Sequence, residues 1–191
     1  TVSRYLSSPE AVKTKTREKV ALAIDSLGYT PNFGARAMAA KRTQTIGAII
    51  PTMENAIFAR GIQAFQEELI RHGYTLLVAS SSYRQEQIRM LVARGADALL
   101  LIGYDRSQKT YQFLKERGVP ILVAWVYQQD TPQLSIGFDN REAMAGLTRE
   151  VLRLGHTRIG CISAFTDNND RARERVVGIS DALKEFGLLP E

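Results

Sequence analysis

Short apolar runs alternate with amphipathic stretches after Thr45, and this alternation constrains the fold more than any other feature of the chain. The runs occupy residues 46–50, 76–79, 98–102, 121–126, 136–138 and 159–162. Between them, apolar residues recur every three or four positions, as in Phe58, Ile62 and Phe65, which is the spacing of one helix face. Buried strands that alternate with such helices are typical of parallel strands joined by crossover helices. The pattern therefore predicts an α/β fold.

The ends of the predicted helices strengthen this interpretation. Five of them end at a glycine, mostly after a basic residue: Gly73, Gly95, Gly118, Gly155 and Gly187. Glycine readily adopts the left-handed conformation that closes a helix, and a basic side chain complements the negative end of the helix dipole. Five such stops in series predict a doubly wound parallel sheet. In that architecture a ligand binds in the crevice at the carboxyl ends of the strands.

The first 44 residues follow a different pattern. Val20, Ile24 and Leu27 form one helical stripe that ends at Gly28, so this part is predicted to be a small all-helical head. A second helix begins after Asn32, a favourable capping residue, but is too short to be stable alone. We expect this helix to become ordered only against a partner, as a hinge does.

The charge of the chain is concentrated in the same head. Residues 1–44 carry eight basic and three acidic side chains, an excess that equals the net charge of +5, whereas residues 45–191 carry 17 of each. A basic head on a neutral body is typical of binding to a polyanion, because neutralised phosphates release condensed counterions. A solvated basic face explains the same charges. Charge alone leaves both interpretations open.

Several functional classes are disfavoured by what the sequence lacks. It shows no signal-like start and no run of eighteen apolar residues, so a cytoplasmic protein without a membrane partner is expected. Cys161 lies in the predicted strand 159–162 and is expected to pack in the core, while His72 and His156 are too few for a metal cluster. No phosphate loop or nucleophile elbow is present, so we expect no cofactor, no catalytic residue and no enzyme.

Several sequence strings resemble one family in their order and spacing. In the head these are Thr1-Val2-Ser3-Arg4-Tyr5-Leu6, Thr16-Arg17-Glu18-Lys19-Val20, Leu27-Gly28-Tyr29-Thr30-Pro31-Asn32 and Ala35-Arg36-Ala37-Met38-Ala39. The head thereby resembles that of the lactose-repressor and galactose-repressor class of bacterial regulators. Strings such as Gly118-Val119-Pro120 and Leu154-Gly155-His156 extend the resemblance over the whole chain. Gly137-Phe138-Asp139-Asn140 is most similar to regulators of gluconate use.

The resemblance implies three segments. Residues 1–31 would be a partial helix-turn-helix DNA-binding domain, and residues 32–44 a hinge helix and linker. Residues 45–191 would be an incomplete effector-binding and dimerisation domain similar to periplasmic sugar-binding proteins. The comparison also implies that the sequence begins inside the recognition helix, stops early in the second effector subdomain and lacks several residues between Tyr83 and Arg84.

The function implied by the resemblance is a repressor of carbohydrate use. Such a protein binds double-stranded operator DNA as a homodimer and responds to a small sugar or sugar acid. The alternative is a soluble sugar-binding protein without DNA function, because transport receptors share the α/β layout. The basic head and the missing export signal disfavour that alternative.

The resemblance places the DNA contacts on the helices of the head. The implied DNA-binding residues are Thr1, Ser3, Arg4, Thr16, Arg17, Asn32, Ala35, Arg36 and Met38. Val2 would pack inward, while Arg4 can donate hydrogen bonds to a guanine edge or a phosphate. In the hinge, small Ala35 would let two copies approach, and Met38 would insert between base steps. A frayed terminal turn and an ordinary linker helix are the alternatives that involve no DNA.

A second group of residues is predicted to bind the effector. Its members follow different predicted strands: Asn55, Phe58, Trp125, Asp139, Arg171 and Arg175. Polyols are bound by Asp, Asn and Arg side chains beside an aromatic face. Arg171 and Arg175 lie one helical turn apart and could hold one ligand between them, and Arg175 matches the family's ligand-binding arginine. Asp139 either binds the ligand or caps the next helix, and residues such as Phe58 and Trp125 are more often part of the core than a ligand platform.

Overall fold

The computed structural model describes residues 1–30, 32–80 and 85–188, with every side chain in these ranges except those of Arg36 and Gln85. The chain forms two compact units, Thr1–Thr43 and Gln44–Glu191. The segment boundary predicted at residue 31 lies outside the described residues. So does the expected interruption between Tyr83 and Arg84.

The first unit is helical. It contains α1 (Val2–Ser7), a 3₁₀ turn (Pro9–Ala11), α2 (Thr14–Ser26) and α3 (Phe33–Ala40). The predicted cap of the short helix is confirmed, because the Oδ1 atom of Asn32 accepts a hydrogen bond from the Ala35 amide at 3.1 Å. The inward packing predicted for Val2 is wrong, since this side chain is 43% exposed. Among the described elements, α2 and the 3₁₀ turn lie against α1, and their contacts leave the Val2 side chain partly exposed.

The second unit contains five strands and five helices in the described residues. In chain order they are β1 (Thr45–Ile50), α4 (Ala56–Arg71), β2 (Thr75–Ser80), α5 (Gln85–Ala93), β3 (Ala98–Ile102), α6 (Gln108–Glu116), β4 (Ile121–Ala124), β5 (Leu134–Ile136), α7 (Asn140–Arg153) and α8 (Asp170–Glu185). All strands pair in parallel, in the order β2-β1-β3-β4-β5. The predicted doubly wound α/β fold is confirmed, and so are the glycine stops, whose φ angles lie between 64° and 88°.

Both faces of the central strands β1 and β3 are largely buried. Along β3, Leu99 and Leu101 pack with residues of α5 and α6, whereas Leu100 and Ile102 belong to a separate cluster that includes Ile62 of α4. Burial of each such side chain stabilises the fold by about 1.5–3 kcal/mol relative to exposure. These strands are therefore packed on both faces, and the loops that follow them begin at well-packed positions.

Three of the predicted strands differ from the structure. β4 ends at Ala124 instead of residue 126, because Trp125 has a φ of +62° and leaves the extended region. β5 spans Leu134–Ile136 instead of residues 136–138. Residues 159–162 form no strand, and Cys161 is exposed instead of packed in the core. A strand needs a neighbouring strand for its backbone hydrogen bonds, and none of the described strands pairs with this segment.

The last two helices pack against each other. Gly178 of α8 makes the close approach feasible, since a Cβ atom there would overlap the backbone oxygen of Arg141 on α7. The Nε atom of Arg141 lies 2.6 Å from Asp181 Oδ2. Arg149 bridges the two helices, because it contacts Glu185 of α8 and also Glu142 of its own helix, each at 2.8 Å. Charged side chains therefore join α7 to α8 along their exposed side.

These ion pairs predict that acid weakens the α7–α8 contact. Hydrogen bonds from Arg141 and Arg149 lower the pKa values of Asp181 and Glu185 below their ordinary values of 3.8 and 4.5. A lowered folded-state pKa adds stability that is fully present above the unfolded-state pKa and is lost as the pH falls through the folded-state value. The expected loss is small and salt-dependent because both carboxylates are exposed.

Urea unfolding at neutral pH and below pH 4 tests this expectation. The double variant D181N/E185Q should be less stable than the wild type at neutral pH and should lose less stability on acidification. The same acid-induced loss in both proteins would contradict the assignment.

Candidate functional site

The residues predicted to contact DNA at the start of the chain lie on exposed or half-buried parts of the head. Thr1 precedes α1 as its N-cap residue, and Ser3 and Arg4 lie within α1. All three are exposed, whereas Thr16 and Arg17, in the first turn of α2, are half-buried. Polar and basic side chains at the surface can reach base edges and phosphates. Their DNA contacts stay a prediction.

The short helix α3 carries the remaining DNA-binding candidates. Asn32 uses its side-chain oxygen to cap the helix, and Ala35 is exposed. Met38 is 83% exposed, which is unusual for a large apolar side chain. Arg36 lies within α3, and its side chain is outside the part of the chain that the structure describes. An exposed methionine beside small residues is compatible with insertion into a partner.

The predicted effector crevice lies where the strand order changes direction. β1 has β2 on one side and β3 on the other, which is the switch point at which ligands bind in such sheets. The amino-terminal turn of α8 meets the same edge, because the Tyr104 amide after β3 donates a hydrogen bond to Asp170 Oδ2 at 2.5 Å. The strand ends and the first turn of α8 therefore lie together where the crevice is predicted.

Two aromatic side chains pack together beside the crevice. The rings of Phe58 and Trp125 meet edge to face, with centroids 5.5 Å apart and an interplanar angle of 68°. The indole ring lies against α4 at Gly61, where a Cβ atom would overlap it. Both aromatic residues also pack on the core cluster around Ile62. They have a core role and are only half-buried, so ligand contact by either stays a prediction.

Asn55 and Asp139 both act as helix caps at this edge of the sheet. Asn55 Oδ1 accepts a hydrogen bond from the Ile57 amide at 2.9 Å at the start of α4. Asp139 Oδ1 accepts from the Arg141 and Glu142 amides at 2.9 and 3.0 Å at the start of α7. The capping role that the sequence allowed for Asp139 is therefore present. Both side chains are exposed, and their contact with an effector is not tested by these bonds.

Arg171 belongs to a buried ion pair. Its Nη1 atom lies 2.7 Å from Asp170 Oδ1, and the two residues are only 5% and 8% exposed. The pair sits against the end of β3 at Gly103, where φ is +73° and a Cβ atom would overlap Arg171 Nη1. This guanidinium is engaged by a carboxylate of its own helix, next to the predicted crevice.

The other arginines of this turn have different partners. Arg173 donates from both Nη atoms to the Asp105 carboxylate, at 3.1 and 3.3 Å. That hydrogen bond raises the pKa of Arg173 above its usual value. Arg175 is half-buried, and its Nε atom donates to Asn140 Oδ1 at 2.9 Å. The turn is thus tied to the loop after β3 and to the start of α7.

Asn140 is the functional candidate that sequence reasoning missed. It is 2% exposed, and its Nδ2 atom donates to the backbone oxygens of Trp125 and Phe138 at 3.2 and 3.3 Å. The sequence held one signal, since Asn140 directly follows the candidate Asp139 at a predicted strand end. Its contact with Arg175 joins positions 35 residues apart. The periodicity of apolar residues cannot predict a contact between residues so far apart in the sequence.

A buried tyrosine supports the loop after β3. The Tyr111 hydroxyl donates to the backbone oxygen of Tyr104 at 2.9 Å. Burial raises the pKa of Tyr111 from 10.0 to about 12, so the phenol keeps its proton and remains a donor at neutral pH. The neighbouring Tyr104 hydroxyl lies 2.9 Å from Thr131 Oγ1. These bonds hold the loop that meets α8.

The described ranges hold neither a candidate metal site nor a candidate membrane-spanning helix. No group of three or more His, Cys, Asp and Glu side chains there is placed to hold a metal ion. Among the helices of those ranges, none is both long and apolar enough to cross a membrane.

Comparison with known families identifies the chain. The family profile described as "Periplasmic binding proteins and sugar binding domain of LacI family" matches residues 43–191, most of the sequence. The chain belongs to the LacI family. A second profile, "Bacterial regulatory proteins, lacI family", matches residues 1–32 of this LacI-family chain. The resemblance drawn from the sequence strings is confirmed.

Individual LacI-family relatives agree with this assignment. The "HTH-type transcriptional regulator GntR" of Escherichia coli strain K12 is 28% identical over the whole chain and 58% of its own length. The crystal structure of a LacI family transcriptional regulator from Silicibacter pomeroyi is 27% identical, with a TM-score of 0.68 over 77% of this chain and 56% of that one. The lac repressor dimer bound to operator and the anti-inducer ONPF shares the fold, with a TM-score of 0.81 over 99% of this chain and 58% of that one, at 24% identity. The chain therefore spans a little over half the length of these relatives.

Proposed function

We propose that this LacI-family chain is part of a transcription repressor of carbohydrate use that binds operator DNA through residues 1–44. The observation that carries the proposal is that the whole net positive charge of the chain lies in this head, most of which matches the lacI regulatory profile. We further propose that the regulator works in the cytoplasm as a homodimer and is not an enzyme. Relatives named as transcriptional regulators support this assignment.

DNA binding follows from the chemistry of the exposed head. Basic side chains on α1 and α2, such as Arg4 and Arg17, supply phosphate and base contacts. A hinge role for α3 accounts for its short length and for the exposure of Met38, because the helix would bury that side chain only against DNA or a second copy. In this proposal residues 32–44 connect the DNA-binding part to the effector domain.

Effector binding follows from the crevice of the second unit. A ligand between the strand ends and the first turn of α8 would contact Arg175. This contact would lie next to Asn140, which bonds both Arg175 and the backbone of Trp125. The ligand would change the contacts that α8 makes with the loop after β3. A ligand shifts a conformational equilibrium only through different contacts with the two states of the protein, and these loop contacts would supply that difference. We propose a sugar or sugar acid as the ligand, bound by residues from the predicted group.

A salt series tests the DNA-binding part of the proposal. Affinity for a random 30-base-pair duplex should fall linearly with salt on logarithmic axes, with a slope of about 0.9 per phosphate contact. The triple variant K15Q/R17Q/K19Q should have a clearly shallower slope. The matched control R94Q/K109Q/K115Q removes three charges from the body and should keep the wild-type slope. No binding by the wild type, or equal slopes in all three proteins, would favour a sugar-binding protein without DNA function.

Met38→Ala should weaken binding to a selected operator far more than binding to random DNA. Burial of a methionine side chain is worth about 1.5–3 kcal/mol, so about a tenfold or greater loss of operator affinity is expected. Fluorescence anisotropy with both duplexes measures the difference. Met53→Ala removes a methionine that is 55% exposed in the second unit and serves as the control. Equal losses on both duplexes would show that Met38 does not insert into DNA.

A further inference from the structure

The hydrogen bonds of Asn140 use both donors of its side-chain amide and one acceptor position of its oxygen. Both protons of Nδ2 are directed to backbone oxygens, those of Trp125 and Phe138, and Oδ1 accepts from Arg175 Nε. The residue is almost completely buried at the first position of α7. A buried amide with all these partners has one orientation, because any rotation would leave polar groups without hydrogen bonds. Asn140 is therefore a fixed point beside the crevice.

Arg175 is bound to this fixed point by one nitrogen only. Among the described residues, its two Nη atoms have no hydrogen-bond partner. Because the guanidinium group is planar, a hydrogen bond at Nε restricts its orientation. The two Nη atoms then present parallel N–H donors, like the two prongs of a fork. Such a fork matches two adjacent acceptor oxygens of one ligand.

Arg171, Arg173 and Arg175 differ in whether a carboxylate neutralises their charge. Arg171 and Arg173 pair with the carboxylates of Asp170 and Asp105. Arg175 instead contacts a neutral amide and forms no ion pair with any described carboxylate. A half-buried guanidinium without a carboxylate favours an anionic acceptor over a neutral one.

The same amide supports an unusual backbone conformation. Trp125 lies in the left-handed region at a φ of +62°, which is rare for a bulky residue. Asn140 bonds its backbone oxygen, while Gly61 and Phe58 contact its ring. Strained residues of this kind persist when their surroundings hold them, and they are common at ligand sites. A change at Arg175 would thus be transmitted through Asn140 to the only tryptophan of the chain.

We propose that Asn140 is a positioning residue that orients the Arg175 guanidinium to bind the carboxylate of an acidic sugar and couples this contact to Trp125. The proposal rests on the proposed effector function of the crevice. Without Asn140, the arginine would have to be ordered by the ligand itself. Ordering one long side chain on binding costs enough to weaken the affinity about tenfold.

The first test needs no ligand. In ¹H–¹⁵N spectra of the full chain, the Nε–Hε signal of Arg175, assigned by its loss in R175A, should be protected from solvent exchange. N140A should abolish this protection, because the Arg175 Nε–H then loses its acceptor. The control T148A removes another buried hydrogen bond of α7, from Thr148 Oγ1 to the Met144 oxygen, and should leave the signal unchanged. An unprotected signal in the wild type, or an unchanged one in N140A, would overturn the proposal.

The second test uses D-gluconate as the acidic probe and D-glucose as its neutral counterpart. Titration of the wild type with D-gluconate should shift the Arg175 signal and change the Trp125 fluorescence, whereas D-glucose should bind at least tenfold more weakly. N140A should bind D-gluconate about tenfold more weakly than T148A does. R175A should bind it about ten- to a hundredfold more weakly than the wild type.

The outcomes separate this inference from the proposed function on which it rests. If R175A binds the probe as well as the wild type, the crevice assignment itself fails. If R175A loses binding but N140A keeps the affinity of T148A, only the positioning role fails. No response of the wild type to D-gluconate, or an equal response to D-glucose, would overturn the assigned ligand class.

Discussion

Replacing Asp170 with alanine is expected to cost about 3–5 kcal/mol of unfolding free energy, the range typical for removal of one partner from a buried ion pair. The carboxylate has two tasks, since it pairs with Arg171 and accepts the Tyr104 amide. Both residues of the pair are nearly inaccessible to water. The variant would leave the guanidinium buried at the end of β3 without that carboxylate.

Urea unfolding of a short variant series distinguishes the charge from the hydrogen bond. D170N keeps an acceptor for the Tyr104 amide but loses the charge, so it should lie between the wild type and D170A. The double variant D170A/R171M removes both charges and should recover part of the lost stability. D181A, which removes the exposed partner of Arg141, is the control and should have a much smaller effect. If D170A resembled D181A, the pair would not be a structural support.

The buried Asp170–Arg171 pair provides polar contacts that fix the start of α8 against the end of β3. Gly103 permits Arg171 to approach the end of β3, and Asp170 neutralises it there. Arg173 and Asp105 add a second link beside the first. These polar links join α8 to the sheet where a ligand would enter.

Most of the sheet could be predicted from the sequence because its signals are local. Apolar runs and glycine stops depend on residues within one turn or one strand, and β1 to β3 were found from them. The helix cap at Asn32 was found in the same way. By contrast, an apolar run at 159–162 was not sufficient for a strand, because a ladder also needs a paired neighbour.

The candidate site was predicted less completely, and the reason is physical. Nothing in the local sequence marks Trp125 as left-handed, since bulky residues avoid that conformation unless tertiary contacts impose it. The bond between Asn140 and Arg175 likewise depends on the packing of α7 against α8. A site assembled from several strand ends is a property of the tertiary fold. The family resemblance supplied Arg175 as a candidate, but no local pattern indicated its contact with Asn140.

Replacing Arg175 with alanine should abolish the effector response and leave DNA binding intact. A lost charge-assisted hydrogen bond costs about 1.5–3 kcal/mol, which corresponds to an affinity loss of about ten- to a hundredfold. Stability should change little, because Arg175 is half-buried and its one hydrogen bond within the described residues is to Asn140. A screen of sugars and sugar acids by thermal shift would first identify the strongest ligand, since binding to the folded state raises the melting temperature.

Isothermal titration of wild type and R175A with that ligand then measures the change, and operator binding is measured in parallel. R153A is the matched control, because it removes an arginine whose partner is the exposed Glu150 on α7. It should keep the wild-type dissociation constant. If R175A also kept it, Arg175 would be a surface charge on a structural helix. If R175A lost operator binding as well, the arginine would act on the fold of the regulator, since a ligand contact in the crevice has no reason to alter DNA affinity when no ligand is present.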